Sequence, residues 1–216
     1  MARNSRPPEE IEAIKQNILE NALQIIISKG YEGFTMQALA KRLGTTARSI
    51  YYYYVAGKEE IFLSARRQGF LRFYEQVKRA YDSHPDPFCK LQALTKAYID
   101  FALKYPHYYK IMITLDVPLY NSFVGTPLQD MAFQVVEARI PLTNLIIQIM
   151  EEIAETYHSF PKKEARIQFM FWLSGIHGIV SLYNNNMLSS LHGSPADVIN
   201  LMADRSLTFF KQPTVS

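Results

Sequence analysis

The sequence predicts an all-α protein with three N-terminal helices, a long fourth helix and a larger helical body. Two observations predict this class. Apolar residues recur at spacings of three and four along most of the 216 residues, which is the period of a buried helix face. The breaks between these stretches carry capping residues, prolines and glycines in the positions that begin and end helices. We therefore expect one domain over residues 1–57, including an N-terminal arm, and a second over residues 58–216, including the connecting helix.

The first three helices are predicted to form a helix-turn-helix unit. Six apolar residues share one face of the first helix: Ile11, Ile14, Ile18, Ala22, Ile25 and Ile26. Gly30 ends this helix. Thr35 then caps a short helix that ends before Gly44, and Thr46 caps another that runs into four consecutive tyrosines. Because helices this short are not stable alone, a pair joined by a glycine turn and packed on a longer helix indicates a helix-turn-helix arrangement.

The later helices are predicted from their ends. Lys58 begins the long fourth helix, which has acidic residues in its first turn and basic residues in its last, as the helix dipole favours. Three further starts place a capping side chain before a proline, at Asp86-Pro87, Thr126-Pro127 and Ser194-Pro195. Pro161 is expected to open one more helix, and Pro141 to kink the helix over about 128–158. Residues 116–127 are predicted to form a loop.

Composition excludes several classes of protein. One cysteine, Cys89, cannot form an internal disulfide, which favours a reducing cytoplasmic compartment. No apolar run reaches the length that spans a bilayer, and the polar N-terminus does not resemble a signal peptide, so no membrane partner is expected. The five histidines have no metal-ligand spacing, and no glycine-rich phosphate loop is present. We therefore expect no enzyme, no metal and no cofactor.

The net charge of +3 is unevenly distributed along the chain. Residues 1–80 hold 13 Lys and Arg against 8 Asp and Glu, whereas residues 81–216 hold 10 against 12. The stretch from Gly33 to Lys58 has no acidic residue but includes Lys41, Arg42 and Arg48. A basic window without acids points to an anionic partner, although a chance gap in the composition is the alternative.

Residues 18–61 carry a specific pattern, ILENALQIIISKGYEGFTMQALAKRLGTTARSIYYYYVAGKEEI. Its spacing of small and apolar residues around Gly30-Tyr31 and Thr35, its aromatic residue after the second short helix and its Lys-Glu-Glu start to the fourth helix resemble the TetR family of transcriptional regulators. The resemblance implies that the second short helix enters the major groove of DNA. It also implies a homodimer on a two-fold operator and a body that binds a small molecule.

One departure from the family pattern concerns the tyrosines. Counted forward from Gly44, the phosphate-contacting tyrosine of the family falls on Tyr51; counted back from Lys58, it falls on Tyr52. The chain is therefore one residue longer between these points. We place the extra residue in the Val55-Ala56-Gly57 turn, because glycine adopts unusual backbone geometry at little cost. The resemblance also places Tyr54 at the buried aromatic position of the family.

The predicted DNA-contacting residues are exposed polar or aromatic side chains of the helix-turn-helix and the start of the fourth helix. Arg48 is a candidate for bidentate contact with guanine, with a solvated charge as the alternative. Ser49 could contact either strand. For the tyrosine hydroxyls, phosphate contact competes with packing against the first helix. The set is Thr35, Thr46, Arg48, Ser49, Tyr51, Tyr52 and Lys58. For Arg3 and Arg6 in the arm, a minor-groove role stays open.

The body carries candidates for an effector pocket. The predicted lining consists of aromatic residues, one methionine and one histidine: Tyr98, Phe101, Tyr105, Tyr109, Met112, Phe133, Trp172 and His177. Few charges face this region, which favours an apolar or aromatic effector. Plain core packing is the alternative for each residue, His177 included. The Trp172…His177-Gly178 pattern and the stretch FALKYPHYYKIM, residues 101–112, also resemble a C-terminal subtype of the family.

A strip of small residues predicts the dimer interface. Gly175 and Gly178 lie inside one predicted helix, residues 169–184. Each glycine costs about 1 kcal/mol of helix stability relative to alanine, so the pair suggests that another helix approaches closely. We expect this strip to pair with the helix around Leu142 to Ile153, and packing within the chain is the alternative. The predicted interface residues are Leu145, Ile149, Ser174, Gly178 and Ser181.

Together these observations predict a ligand-responsive DNA-binding transcriptional regulator. The partners would be a double-stranded DNA operator, a second copy of the chain and an unidentified small-molecule effector that releases a repressor from a palindromic site. The alternative is a helical structural or adaptor protein, or an architectural nucleic-acid binder, without an effector.

Overall fold

The computed structural model describes residues 6–114, 116–190 and 194–212, and the all-α prediction is confirmed: this part of the chain contains no β-strand. The α-helices are α1 (Pro8–Lys29), α2 (Met36–Leu43), α3 (Ala47–Tyr51), α4 (Lys58–Asp82), α5 (Pro87–Lys104), α6 (Pro106–Tyr109), α7 (Gln129–Tyr157), α8 (Ala165–Asn184) and α9 (Pro195–Leu207). A π-helical turn, Lys110–Thr114, follows α6. Short 3-10 turns lie at Tyr120–Phe123, Lys162–Glu164, Met187–Ser190 and Thr208–Lys211.

The Cα positions group into two compact units. The first comprises Met1–Leu71 and Tyr105–Ala138, and the second comprises Arg72–Lys104 and Arg139–Ser216. Both α4 and α7 therefore contribute residues to each unit. The domain boundary expected after residue 57 stays a prediction.

The core of the first unit is built around α1. Its buried face is narrower than the apolar periodicity predicts, since Ile11 and Ile14 are only half-buried. The residues of α1 that are buried are Ile18, Leu19, Ala22, Leu23, Ile25 and Ile26. Leu39 of α2 and Ile50 of α3 are at most 1% exposed. Because burying such a side chain contributes about 1.5–3 kcal/mol, these contacts stabilise two helices that would not form alone.

The core of the second unit lies between α5 and α8. Trp172 of α8 is 2% exposed, and its indole Nε1 donates to the Thr95 hydroxyl at 2.9 Å. Thr95 in turn donates to the Leu91 carbonyl at 2.7 Å. The Tyr98 ring packs edge-on against Trp172, with ring centroids 5.7 Å apart. The indole and the hydroxyl can be buried at little cost because each has a hydrogen-bond partner.

The structure corrects two details of predicted helix starts. The helix expected over about 128–158 is present as α7, Gln129–Tyr157, but the Thr126 hydroxyl accepts from the Leu128 amide in a tight turn before it, so Pro127 is not its first residue. Pro161 precedes a 3-10 turn, so α8 begins only at Ala165. The predicted loop 116–127 also contains the Tyr120–Phe123 turn, which Phe123 anchors at 5% exposure.

None of the helices in the described part of the chain combines the length and the apolar character needed to cross a membrane.

A polar network in the second unit centres on Glu152 of α7. Its carboxylate accepts from Lys90 Nζ at 2.7 Å and from the Tyr81 hydroxyl at 2.8 Å. Gln148 Nε2 donates to the same carboxylate at 3.0 Å. Burial alone would raise the pKa of Glu152, but these hydrogen bonds outweigh it and lower the pKa below its ordinary value of 4.5.

We expect Glu152→Gln to lower the free energy of unfolding at pH 7 by about 1–3 kcal/mol. The variant loses charge-assisted hydrogen bonds, and the Lys90 ammonium loses the carboxylate with which it is paired. A carboxylate with a lowered folded pKa stabilises the protein above its unfolded pKa and loses that contribution as pH falls through the folded pKa. The difference between wild type and variant should therefore shrink below about pH 4.5. Urea unfolding at pH 7 and at about pH 3.5 measures it. Glu155→Gln, at a carboxylate 59% exposed, is the control; an equal loss in both variants would contradict the expectation.

Candidate nucleic-acid interface

Side-chain caps and a glycine turn fix the geometry of α2 and α3. The Thr35 hydroxyl accepts from the Ala38 amide at 3.1 Å, and the Thr46 hydroxyl accepts from the Ser49 amide at 3.2 Å. Both predicted caps are therefore present. Gly44 ends α2 in the left-handed region with φ of +63°, which non-glycine residues adopt at a cost. The two short helices are thus held at defined starts, with Leu39 and Ile50 turned into the core.

The outer side of α3 is polar and exposed. Arg48 and Ser49 both lie in the first turn of the helix with exposed side chains. The Ser49 hydroxyl is 2.9 Å from the Thr46 hydroxyl, so these two groups share a hydrogen bond. The structure therefore brings together Thr46, Arg48 and Ser49 at one helix start, while Thr35 lies at the exposed start of α2.

The four consecutive tyrosines have different environments. Tyr52 is 78% exposed, whereas Tyr51 is 45% exposed and its ring lies against the backbone of Gly57. A Cβ added at Gly57, where φ is +72°, would lie 2.9 Å from Tyr51 Cε1. Tyr54 is 4% exposed and donates to the Lys15 carbonyl, as predicted for a buried aromatic residue. Burial raises the pKa of Tyr54 well above its ordinary range.

Lys58 is held against the turn that follows α1 rather than extended into solvent. Its Nζ lies 4.1 Å from the centroid of the Tyr31 ring and 3.9 Å from a Glu32 carboxylate oxygen. Its side chain is 20% exposed, so part of it remains accessible to solvent. Burial, with the charges of Glu59 and Glu32, raises the pKa of Tyr31, so this tyrosine stays neutral beneath the lysine.

Two contacts at this surface were missed by sequence reasoning. Arg6 Nη1 donates to the Tyr53 hydroxyl at 2.9 Å, which places the residue just before α1 beside the tyrosine run. Arg42 Nε donates to Asn21 Oδ1 at 2.9 Å, so that guanidinium is fixed on α1. Nothing in the local sequence signals the Arg6 contact, because its partner is 47 residues away. Arg3 lies outside the described residues.

The residues predicted to line a pocket fall in both units. In the first unit, Tyr109 and Met112 are buried and Tyr105 is half-buried, whereas Phe133 is 47% exposed and packs edge-on against Tyr120. In the second unit, Tyr98, Phe101 and Trp172 are at most 2% exposed and His177 is half-buried. The structure brings Tyr98 and Trp172 together and adds Phe73, whose ring lies 4.7 Å from that of Phe101. A pocket along these residues stays a prediction.

The residues predicted at a dimer interface divide into two groups. Leu145 and Ile149 are 9% and 0% exposed. The expectation that they face a partner is corrected here, because the chain's own core already covers them. Ser174 is exposed, and Gly178 and Ser181 are half-buried. A Cβ added at Gly175 or Gly178 would meet no heavy atom within 4 Å, so packing within the described chain does not explain this strip of small residues.

In the part of the chain that the structure describes, no three His, Cys, Asp or Glu side chains are grouped as a metal site.

The geometry of α2 and α3 defines a class of protein. It is a helix-turn-helix protein whose second short helix, α3, carries an exposed arginine and an exposed hydroxyl, with an exposed tyrosine beside them. The chain belongs to the TetR family. Residues 18–65 match the family described as bacterial regulatory proteins, tetR family, and residues 91–206 match the tetracyclin repressor-like C-terminal domain.

A curated relative is the biofilm operon icaADBC HTH-type negative transcriptional regulator IcaR of Staphylococcus epidermidis (strain ATCC 35984). It is 27% identical over 117 residues, which is 54% of this chain and 62% of the relative. The matched segment therefore spans less than two thirds of that relative's length.

Two solved structures show the same fold. The TetR family transcriptional regulator PfmR from Thermus thermophilus has a TM-score of 0.68 at 17% identity, with 88% of this chain and 96% of that chain covered. The ketosteroid transcriptional regulator KstR2 of Mycobacterium tuberculosis has a TM-score of 0.67 at 18% identity, with 90% and 93% covered.

Proposed function

We propose that this chain is a transcriptional regulator that binds a palindromic DNA operator as a homodimer and is released, as a repressor, by a small apolar or aromatic effector. One observation carries the DNA-binding part: the capped start of α3 presents Arg48 and Ser49 to solvent within a stretch that has no acidic residue from Gly33 to Lys58. A short helix with exposed donors and no competing carboxylates fits a major groove that presents base edges between two phosphate backbones. Because the proposed partner is an operator in genomic DNA, the protein would work in the cytoplasm.

We assign each predicted DNA contact a role from the exposure and position of its side chain. Arg48 reads a base edge, because its guanidinium can donate two hydrogen bonds to guanine. Tyr52 donates to a backbone phosphate, since it is the most exposed of the tyrosines in this run. Tyr51 is a secondary phosphate contact held in place by Gly57. Thr35 and Thr46 act mainly as caps that fix the helix starts, where backbone amides also favour anions.

A patch on α8, α9 and the 3-10 turn after α9, the α8–α9 patch, supports the homodimer. It consists of apolar side chains that are at least half exposed: Ile167, Met170, Phe171, Leu201 and Phe209. The rings of Phe171 and Phe209 lie 5.6 Å apart, so the patch connects α8 with the turn after α9. Exposed apolar surface of this kind marks interaction sites. The uncovered strip at Ser174 and Gly178 lies on the same helix and would let a partner helix approach closely.

Contacts within the first unit support transmission through α4. Arg66 of α4 is 8% exposed and donates to the carbonyls of Ile111 at 3.1 Å and Pro118 at 3.3 Å. The Tyr108 hydroxyl donates to Gln68, which donates to Gln16 of α1 at 2.7 Å. A movement of α6 and the π-helical turn that follows it would therefore reach both α4 and α1. An effector shifts operator binding a hundredfold only if it prefers the non-binding conformation by about 2.7 kcal/mol.

Selection from a randomised duplex library by the purified protein tests the DNA-binding function. We expect enrichment of a two-fold symmetric sequence, which then serves as the selected duplex, with a scrambled duplex of equal composition as the comparison. Binding with a steep salt dependence but no sequence preference would favour an architectural nucleic-acid binder instead. A selection that retains no duplex at all would favour a structural or adaptor protein.

We expect Lys58→Ala to weaken binding to the selected and scrambled duplexes equally, because a phosphate contact carries no base information. The slope of log affinity against log salt should become shallower by about one unit per chain. Fluorescence anisotropy at several salt concentrations measures both quantities. Lys96→Ala, on a side chain 70% exposed in α5, removes the same charge as a control. A slope unchanged from wild type would remove Lys58 from the interface.

A further inference from the structure

Arg6 lies beside the helix-turn-helix although it precedes α1 in the sequence. Its Nη1 donates to the Tyr53 hydroxyl at 2.9 Å, and its Nε lies 3.4 Å from a Glu10 carboxylate oxygen. The Arg6 side chain is nevertheless 54% exposed. A guanidinium has five N–H donors, and these contacts engage two of its nitrogens. The group is therefore held in one place while it keeps donors for a further acceptor.

The position of this guanidinium is tied to a residue already proposed to touch DNA. The Tyr53 ring packs edge-on against the Tyr52 ring, with centroids 5.2 Å apart. Tyr52 is 78% exposed, whereas Tyr53 is half-buried and directs its hydroxyl to Arg6. Arg6, Tyr53 and Tyr52 therefore form one continuous row at the end of α3, the Arg6 row.

We propose that Arg6 is a backbone-phosphate contact of the operator complex and that Tyr53 is the residue that positions it. This inference rests on the proposed DNA-binding function. Arginine binds phosphate through its planar fork of donors, and a side chain that is ordered before binding loses less entropy on binding. Because phosphates carry no sequence information, the contact adds affinity for every duplex.

Glu10 regulates this contact by competition. The Glu10 carboxylate pairs with the same guanidinium that would bind the phosphate. Because its side chain is 52% exposed, it also places a negative charge close to the backbone of the bound DNA. A phosphate must therefore compete with Glu10 for Arg6. Removing the Glu10 charge should tighten binding, and this sign distinguishes a working phosphate contact from a solvated ion pair.

The first experiment compares Arg6→Ala with wild type on the selected and scrambled duplexes between about 50 and 200 mM salt. Each lost phosphate contact lowers the slope by about 0.9, so the affinity advantage of wild type should shrink about 3.5-fold per chain across this range. The loss should be equal on both duplexes. Lys96→Ala is the charge-matched control, and thermal unfolding checks that Arg6→Ala remains folded.

The second experiment isolates the role of Tyr53. We expect Tyr53→Phe, which removes only the hydroxyl, to weaken binding when Arg6 is present and to have no effect in the Arg6→Ala background. Additive losses would mean that the Tyr53 hydroxyl touches DNA itself, which overturns the positioning role. We expect Glu10→Gln to bind more tightly than Glu9→Gln, which removes the same charge one residue earlier.

Besides the additive losses that would overturn the positioning role of Tyr53, three outcomes would overturn the phosphate contact of Arg6 while wild type still binds its selected duplex. They are an unchanged slope in Arg6→Ala, a loss confined to the selected duplex, and a Glu10→Gln variant no tighter than Glu9→Gln. Failure of the proposed function differs from these outcomes, because the selection with wild type would then retain no duplex or enrich no particular sequence.

Discussion

Replacing Arg48 with alanine should weaken binding to the selected duplex by about 1–3 kcal/mol for each recognition helix. Because a homodimer carries two such helices, the total loss is about 2–6 kcal/mol, or roughly 30-fold to 20,000-fold in affinity. The expected size follows from the geometry. Arg48 is exposed on a helix whose start is fixed by the Thr46 hydroxyl, so a bidentate contact with a base needs little reorganisation. Fluorescence anisotropy on the selected and scrambled duplexes measures the effect.

The comparison between duplexes decides what Arg48 contacts. A base contact predicts a large loss on the selected duplex and a small loss on the scrambled one. Arg42→Ala is the matched control, since Arg42 lies on α2 and its Nε is already bonded to Asn21; its effect should be small and equal on both duplexes. An equal loss on both duplexes for Arg48→Ala would assign the residue to a phosphate instead, and unchanged binding would remove it from the site.

The ends of the helices could be predicted where local chemistry determines them. Thr35, Thr46 and Ser194 each accept a hydrogen bond from a backbone amide three residues later, as their positions in the sequence predict. Thr126-Pro127 has the same local pattern but does not begin a helix. There the Gln129 side chain accepts from the Gly125 amide at 2.7 Å, so a turn held by a side chain replaces the first helical turn.

The orientation of the tyrosines could not be predicted, because α3 is too short to show a period. With five residues, α3 ends at Tyr51, and the direction of the next side chains depends on the turn that follows. Gly57, at a φ of +72°, gives Tyr51 a surface to pack on and leaves Tyr52 exposed. Local sequence signals therefore identify a tyrosine at the candidate interface but not which one.

The pattern of apolar residues alone also does not distinguish a helix face that is buried in the core from one that forms an interface between chains. The apolar pattern places Leu145 and Ile149 at a partner interface, but they lie on a side of α7 that is buried within the chain. Ile167 and Met170 on α8 have the same apolar character and are 67% and 53% exposed. Only the packing of neighbouring helices distinguishes the two pairs, and helix periodicity does not contain that information.

We expect Ile167→Glu and Met170→Glu to convert the dimer into a monomer. In a two-fold interface each substitution is present twice, so a cost of about 2 kcal/mol per copy becomes about 4 kcal/mol, or roughly 1,000-fold weaker dimerisation. Sedimentation velocity over a range of protein concentrations measures the change. These two positions are preferred to Phe171, whose ring also packs against Phe210 within the chain. Leu119→Glu, at a residue 58% exposed outside the α8–α9 patch, is the control.

The same variants test whether tight operator binding requires two linked helix-turn-helix units. A monomer brings only one set of contacts to half of a palindrome, so its affinity for the selected duplex should fall at least about 100-fold while its affinity for a half-site stays unchanged. If both variants stay dimeric, the α8–α9 patch is not the interface. If they become monomers yet bind the full operator as tightly as wild type, a single helix-turn-helix unit supplies the affinity. That unit would then bind DNA more strongly than the net charge of +3 and the exposed contacts of α3 explain.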